Sequence, residues 1–251
     1  MSGSVSRTLA LTAVTVGLAA CGGGRPSGEA AKSPSQIAQD AAAATKSLRS
    51  FRLEGTLTDS QGFARVSAEV AGPGRIHLAL RRASSAFEVI TSGAETYLKA
   101  SRSYWAALPG LTSSQVGNLS DRWVKLPTSQ DPGLKAGAAR ATSIGVEVGC
   151  WAARSRGLSL AGTGSVAGRA AVIVANDGSA PGSAPGKVYV ASSGPPWPLR
   201  AIVTGPRQPG GTGACAEESS KQTSDITVSA FNQPIHLAPP AGAIDLLSIA
   251  H

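Results

Sequence analysis

Residues 51–70, with the sequence FRLEGTLTDSQGFARVSAEV, decide the fold of this 251-residue chain. Apolar or small side chains occupy every second position from Phe51 to Leu57 and again from Ala64 to Val70, with polar side chains at the positions between them. A turn at residues 59–62, Asp-Ser-Gln-Gly, separates the two runs. Alternation with a period of two on both sides of a short polar turn is typical of a β-hairpin that buries one face.

The same alternation recurs along the rest of the chain. It predicts further strands over residues 76–80, 87–91, 96–100, 158–160, 170–175, 187–191, 199–204 and 225–230. Short alternating strands joined by glycine-rich turns form an antiparallel meander, here of about ten or eleven strands. The sequence therefore predicts an α+β fold over residues 35–251, built on a single curved antiparallel sheet.

A helix is expected immediately before the first strand. The segment 33–36, Ser-Pro-Ser-Gln, provides an N-cap serine, a proline at the first helical position and a glutamine three residues after the cap. Apolar side chains follow at helical spacing from Ile37 to Leu48, so this helix should bury one face and end near Arg49. Short helices are also predicted between residues 134 and 153.

The composition excludes several classes of protein. Hydrophobic residues make up 42% of the chain and charged residues 15%, which argues against intrinsic disorder. No stretch approaches the roughly 20 apolar residues of a transmembrane helix, which excludes a polytopic membrane protein. The net charge of +8 is spread along the chain and fits a location near an anionic membrane. Because the basic residues are not interleaved with aromatic ones, no nucleic-acid partner is expected.

Residues 1–20 have the pattern of a bacterial lipoprotein signal peptide. Arg7 supplies a positive charge, and an apolar run of about a dozen residues follows, too short to span a bilayer. The run ends at residues 18–21, Leu-Ala-Ala-Cys, which resembles the lipobox, where the cysteine is acylated and becomes the mature N-terminus. We therefore expect palmitate-type lipidation of Cys21 and anchoring at the extracytoplasmic face of the cell membrane. An ordinary signal peptide that happens to contain a cysteine is the alternative.

Residues 21–34, rich in Gly, Ala, Pro and Ser, are expected to form a flexible tether between the lipid anchor and the folded domain.

Two cysteines remain after Cys21, and they are Cys150 and Cys215. Their spacing does not match a zinc site, whereas export to an oxidising compartment favours a disulfide. Such a bridge would close a loop of about 66 residues and contribute roughly 4 kcal/mol in the chain-entropy model. Two unpaired thiols are the alternative.

Motifs that carry catalysis are absent from the sequence. It contains no GxSxG, HExxH, Walker or SxxK motif, and no GxGxxG between a strand and a helix. Its three histidines are His77, His236 and His251, and the one adjacent acidic pair, Glu217-Glu218, has a loop-like context. We therefore expect no enzyme activity, no metal site and no cofactor.

The apolar face of the sheet is then either a packed core or one wall of a cavity suited to acyl chains.

Several short motifs, taken in order, resemble those of a known family. The predicted helix runs into SLRSFRLEG at residues 47–55, and ETYLK, YW, RWVKLP, VYV, PLR and FNQP follow at residues 95–99, 104–105, 122–127, 188–190, 198–200 and 231–234. In this order they resemble the actinobacterial lipoproteins of the LppX/LprA/LprF/LprG group, which share the half-barrel fold of the LolA/LolB lipoprotein carriers. The resemblance extends from Ser35 to Leu247.

This resemblance implies a half-barrel whose concave face, covered by helices, holds the acyl chains of a lipid or lipoglycan for carriage between the plasma membrane and the outer envelope layers. The residues expected to line that ligand site are the apolar residues of the alternating strands: Leu53, Leu57, Val66, Val70, Ile76, Leu78, Leu80, Val89 and Leu98.

Two other interpretations stay open at this point. In the first, the same side chains form a filled core, and the protein is an interaction or sensor module that contacts a membrane protein or an envelope regulator. In the second, it is a cell-wall hydrolase, which requires a cleft with convergent carboxylates or a His–Ser pair.

Overall fold

The structure is a computed structural model that describes residues 28–127, 144–216 and 222–248, together with residues 134, 137–138 and 142. Within these residues the chain forms twelve strands in one open, curved sheet. The strands are β1 Phe51–Asp59, β2 Gly62–Val70, β3 Arg75–Arg82, β4 Ala86–Ser92, β5 Glu95–Ala100, β6 Trp123–Pro127, β7 Leu158–Val166, β8 Arg169–Asn176, β9 Gly186–Ala191, β10 Pro198–Val203, β11 Thr223–Ser229 and β12 Ile244–Asp245.

The strands follow the order β12-β6-β5-β4-β3-β2-β1-β11-β10-β9-β8-β7 across the sheet. All neighbouring pairs are antiparallel except β12 and β6, which pair in parallel through two residues of β12. Because of this alternation, β1, β3, β8 and β10 begin at the edge where β2, β9 and β11 end. We call this edge the basal edge and the opposite one the apical edge.

Four α-helices lie within the described residues: α1 Pro34–Lys46, α2 Arg102–Ala106, α3 Ser113–Leu119 and α4 Ile144–Ala152. Helix α1 begins as predicted, with a capping box between Ser33 and Gln36. It ends at Lys46 instead of near Arg49, because the amide and the hydroxyl of Ser47 both donate to the carbonyl of Ala44. In the described part of the chain, no helix has the length and hydropathy needed to cross a membrane.

The period-two pattern gives the sheet two different faces. On the covered face, side chains such as Leu53, Leu78 and Leu98 form one hydrophobic cluster with Ile37 of α1 and Trp151 of α4. The other face, which we call the open face, carries the polar side chains of the same strands, and ion pairs connect several of them. The α+β architecture predicted from the sequence, a curved sheet with helices on one face, is thus confirmed.

Several elements differ from the prediction. No strand was predicted at β6 or β12, and the parallel β12 makes the sheet mixed instead of wholly antiparallel. Helices α2 and α3 were also not predicted. The end of the predicted tether is ordered: Gly28–Ala31 form a 3-10 turn in which Glu29 is buried and accepts a hydrogen bond from Lys32.

The predicted signal peptide, Cys21 and His251 lie outside the described residues, as does the Glu217-Glu218 pair.

Candidate functional site

The nine residues predicted to line a ligand site all lie on the covered face of the sheet. The strand register places Leu78 beside Val89 and Val89 beside Leu98, and Leu53 lies in the same row across Ala68 of β2. These side chains are at most 4% exposed. Val66 and Ile76 are also buried, whereas Leu57, Val70 and Leu80 are half-buried.

The helices that cover this face contribute large buried side chains. Ile37 of α1 and Trp151 of α4 are fully buried, and α3 contributes Leu119. Trp105 of α2 is 3% exposed, and its indole N–H donates to the carbonyl of Ala100 at 3.1 Å. Because these residues and the middle of the covered face belong to one cluster, sheet and helices are in direct contact there.

In β1, β3 and β4, burial on the covered face decreases toward the apical edge, whereas in β2 the apical Ala64 is fully buried and the basal Val70 is half-buried. Along β1 burial falls from Leu53 to Leu57, and along β3 from Leu78 to Leu80. In β4, Phe87 is half-buried, and its ring lies 5.8 Å from that of Tyr104 in α2. We call the half-buried apolar group formed by Leu57, Leu80, Phe87 and Tyr104 the apical mouth.

An ion pair between Asp59 and Arg82 lies beside the apical mouth. Asp59 and Arg82 occupy the last positions of β1 and β3 on the same face as Leu57 and Leu80, because they continue the period of two. Arg82 donates to both carboxylate oxygens of Asp59, at 3.0 and 2.7 Å, and to the carbonyl of Gly62 at 2.8 Å. These hydrogen bonds from Arg82 hold the pKa of Asp59 below its ordinary value. The mouth therefore joins an apolar surface to a fixed pair of opposite charges.

Two residues of the mouth, Phe87 and Tyr104, and the adjacent pair Asp59 and Arg82 were not among the predicted site residues. Phe87 and Tyr104 had signals in the sequence, since Phe87 shares a face with Val89 and Tyr104 belongs to a motif of the family resemblance. Asp59 and Arg82 had none, because their pairing spans 23 residues and depends on the register of three strands.

Helix α4 is fastened to the connection between β10 and β11. Cys150 in α4 and Cys215 in that connection form a disulfide with a Cα–Cα distance of 5.7 Å. In the same region, Arg207 donates to the carboxylate of Glu147 in α4 and to the carbonyl of Gly182. Burial raises the pKa of Glu147, and the nearby Arg207 opposes that shift. Helix α4, which covers part of the sheet, is therefore held in place by a covalent bond and a buried ion pair.

The open face has a bidentate ion pair of its own, in which Arg200 donates to both carboxylate oxygens of Asp225 and lies 5.6 Å from the centroid of the Tyr189 ring. His77 also lies on this face, with Nε2 3.5 Å from Glu88 Oε2, and Arg81 approaches the other oxygen of Glu88 at 3.6 Å. His236 is exposed in the segment after β11. Among the residues that the structure describes, no three His, Cys, Asp or Glu side chains come together in a group that could hold a metal ion.

Comparison with solved structures finds several proteins to which the chain is similar. No protein-family model and no curated protein match the chain. The chain is similar to two mycobacterial lipoproteins. LprF from Mycobacterium bovis is 17% identical with a TM-score of 0.49, and the match covers 83% of this chain and 97% of LprF. The lipoprotein LppX from Mycobacterium tuberculosis is 15% identical with a TM-score of 0.44, over 82% of this chain and 98% of LppX.

A third similar structure is a LolA superfamily protein from Nitrosomonas europaea, 13% identical with a TM-score of 0.27, over 83% of this chain and 96% of that protein. LprF and LppX belong to the group that the sequence motifs resemble, and the third protein belongs to the superfamily of the carriers that share its half-barrel fold.

Proposed function

We propose that this protein is an exported lipoprotein, anchored through lipid on Cys21 at the extracytoplasmic face of the membrane, that binds the acyl chains of a lipid or lipoglycan. The chains enter at the apical end of the covered face, beyond the region where sheet and helices are in contact, and the protein carries them across the envelope without an enzymatic step. The observation that carries this proposal is the loss of burial from Leu53, Leu78 and Val89 toward Leu57, Leu80 and Phe87. A half-buried apolar group beside charged side chains is suited to a ligand with an apolar body and a polar end.

The mouth also supports a division of roles between its residues. Leu57, Leu80 and Phe87 offer apolar contact to the part of an acyl chain nearest the headgroup. The Asp59–Arg82 pair lies next to them with its charges paired within the protein, and it fixes the edge at which the polar end of the ligand would lie. The number and length of the chains would then decide which lipids are retained, because the contacts inside are apolar.

The test is native mass spectrometry of the full-length protein isolated from membranes of an actinobacterial host. Non-covalent lipid appears as discrete added masses that are released on denaturation, whereas lipid on Cys21 stays attached. We expect added lipid on the wild-type protein and less of it on Leu80→Trp, because an indole at residue 80 fills the mouth. Ala79→Trp is the matched control, since residue 79 lies on the open face of the same strand, and it should load like the wild type.

Leu57→Trp is a second variant at the mouth, in case Leu80→Trp unfolds the protein. Equal loading of both mouth variants and the control would contradict a ligand at this edge.

The alternative function is an interaction or sensor module with a filled core. It is favoured by one observation: Leu53, Val89 and Leu98 are at most 2% exposed and pack in one hydrophobic cluster with side chains of the helices. A protein released from the membrane with no added mass beyond its covalent lipid would support this alternative over carriage.

A further inference from the structure

The basal edge of the sheet carries a group of cations that lack acidic partners in the described part of the chain. Lys46 at the end of α1, Arg49 before β1 and Arg75 at the start of β3 are exposed, and Arg169 at the start of β8 is half-buried. No carboxylate oxygen of the described residues lies within 4.0 Å of any of them, although Arg52 nearby is paired with Glu69. The four cations are therefore available to an anionic surface.

Two aromatic rings accompany these cations. The rings of Trp197, just before β10, and Phe231, just after β11, are stacked with centroids 4.7 Å apart and an interplanar angle of 13°. The Arg169 guanidinium carbon lies 5.4 Å from the centroid of each ring. An arginine held against half-buried aromatic rings, with tryptophan among them, has the chemistry of a protein surface at a membrane interface.

The segment after Phe231 joins this cluster to Arg49. The side chain of Asn232 accepts a hydrogen bond from the amide of Arg49 at 2.8 Å, and the hydroxyl of Ser50 donates to the carbonyl of Gln233 at 2.6 Å. The carbonyl of Leu237 in the same segment also accepts a hydrogen bond from Arg75 at 3.3 Å. The aromatic pair, Arg49 and Arg75 are thus connected through this segment, and we call the region that they form with Lys46 and Arg169 the basal surface.

The chain enters the domain at the same surface. Gly28 lies against Ser192 in the β9–β10 connection, so closely that a Cβ on Gly28 would stand 2.7 Å from the Ser192 carbonyl oxygen. Trp197 ends that same connection. Gly28 follows Cys21 by only seven positions, and a segment of that length reaches at most about 25 Å even when fully extended. A lipid anchor on Cys21 therefore keeps the basal surface close to the bilayer.

From this geometry we infer that the basal surface rests on the anionic headgroups of the membrane that holds Cys21. The inference depends on the proposed anchoring and adds the orientation of the domain. The cations face phosphate groups, and Trp197 reaches the interfacial layer. Because the mouth is at the apical edge, a nine-residue strand away, it points away from this membrane at a height of about 30 Å above the basal surface.

The test places the full-length, lipidated protein in vesicles that contain brominated phosphatidylcholine, which quenches tryptophan in contact with the bilayer. The difference between the wild type and Trp197→Phe isolates the emission of residue 197 from that of the other tryptophans. We expect this emission to be quenched when the vesicles also contain phosphatidylglycerol, and quenched less in phosphatidylcholine alone.

A charge-reversal pair tests the role of the cations. Arg49→Glu with Arg75→Glu leaves the aromatic cluster intact and should reduce the quenching of Trp197. The control is Arg65→Glu with Arg102→Glu, two exposed arginines away from the basal edge, and it should not reduce it.

Flotation of the vesicles, together with the quenching, distinguishes three ways in which this inference can fail. Protein that floats with the vesicles while Trp197 stays unquenched overturns the basal contact and leaves the anchoring intact. Equal quenching with and without phosphatidylglycerol overturns the contribution of the anionic headgroups. Protein that does not float overturns the anchoring on Cys21 and the basal contact with it.

Discussion

At the scale of single residues, Arg82 links three strand ends at the apical edge. Its guanidinium donates to both oxygens of Asp59 at the end of β1 and to the carbonyl of Gly62 at the start of β2, while Arg82 itself ends β3. Its side chain is only 10% exposed, so its hydrogen bonds are partly shielded from water. Arg82 therefore stabilises the edge that carries the mouth.

Replacing Arg82 by Met should destabilise the protein. The variant keeps an unbranched apolar side chain but leaves Asp59 with only the amide of Gln61 as a donor, and we expect a loss of about 1–3 kcal/mol in the free energy of unfolding. Urea denaturation measures this loss. Arg81→Met is the control: Arg81 is 71% exposed and its contact with Glu88 is long, so its effect should stay within about 0.5 kcal/mol. Equal losses in the two variants would contradict the role of the Asp59–Arg82 pair.

The same pair should make stability depend on acidic pH. Hydrogen bonds from Arg82 lower the pKa of Asp59 in the folded protein below its ordinary value of 3.8. The resulting stabilisation is present above the ordinary pKa and is lost as the pH falls through the lowered one. Asp59→Asn cannot titrate, so the stability difference between wild type and variant should shrink as the pH is lowered below about 4. A difference that stays constant across this range would show that Asp59 does not contribute in this way.

At the scale of secondary structure elements, the close approach of β1 and β11 depends on a glycine. A Cβ on Gly55 would lie 2.0 Å from the carbonyl oxygen of Asp225, so no larger residue fits without separating the two strands. These strands are where the N-terminal and C-terminal parts of the sheet meet. Gly55 therefore allows the sheet to be continuous.

Two Gly→Ala variants should have opposite effects on stability. Gly55→Ala forces β1 and β11 apart and should lower the melting temperature. At Gly117 in α3, an added Cβ would meet no described atom within 4 Å, so Gly117→Ala should stabilise the helix by about 0.5–1 kcal/mol. Thermal unfolding followed by circular dichroism measures both. A Gly55→Ala variant with an unchanged melting temperature would contradict the close contact of the strands.

The elements that the sequence predicted are those with a long local pattern. The hairpin of β1 and β2 was predicted from alternation, and α1 from its cap and its apolar spacing. In β6, only Val124 and Leu126 mark the alternation before the strand ends at Pro127, and α2 has five residues, little more than one helical turn. Strand β12 consists of two residues and exists only because β6 lies beside it. Whether such short elements form depends on neighbouring elements that are distant in sequence.

At the scale of the whole molecule, one covalent bond joins parts of the chain that are 65 residues apart. The disulfide connects α4, which covers the sheet, to the connection between β10 and β11. The double variant Cys150→Ser/Cys215→Ser should lose about 2–5 kcal/mol of stability, as native disulfides of exported domains do. Urea denaturation measures this, and reducing the wild-type protein should give the same loss. No change in either case would mean that α4 is held by its packing and by the Glu147–Arg207 pair.

The sheet also gives the molecule two different ends. The mouth, with Leu80 and the adjacent Arg82, is at the apical edge, and Trp197 and Arg169 are at the basal edge where the chain enters. A lipid that enters at the mouth would therefore approach from the side away from the anchoring membrane, if the basal surface rests on that membrane as we infer. This arrangement would separate the site of anchoring from the site of exchange.

The local features of this protein could be predicted from its amino-acid pattern: the alternation that gives each strand two faces, the start of α1, and the two cysteines that pair. These follow from interactions between residues close in sequence, or from the small number of cysteines. The tertiary structure decided how far the covered face is buried, the contact of Asp59 with Arg82, and the meeting of Trp197, Phe231 and Arg169. A period of two determines which face a side chain is on. Its burial and its partners depend on strand register and on where the helices pack, and both are set by contacts between distant parts of the chain.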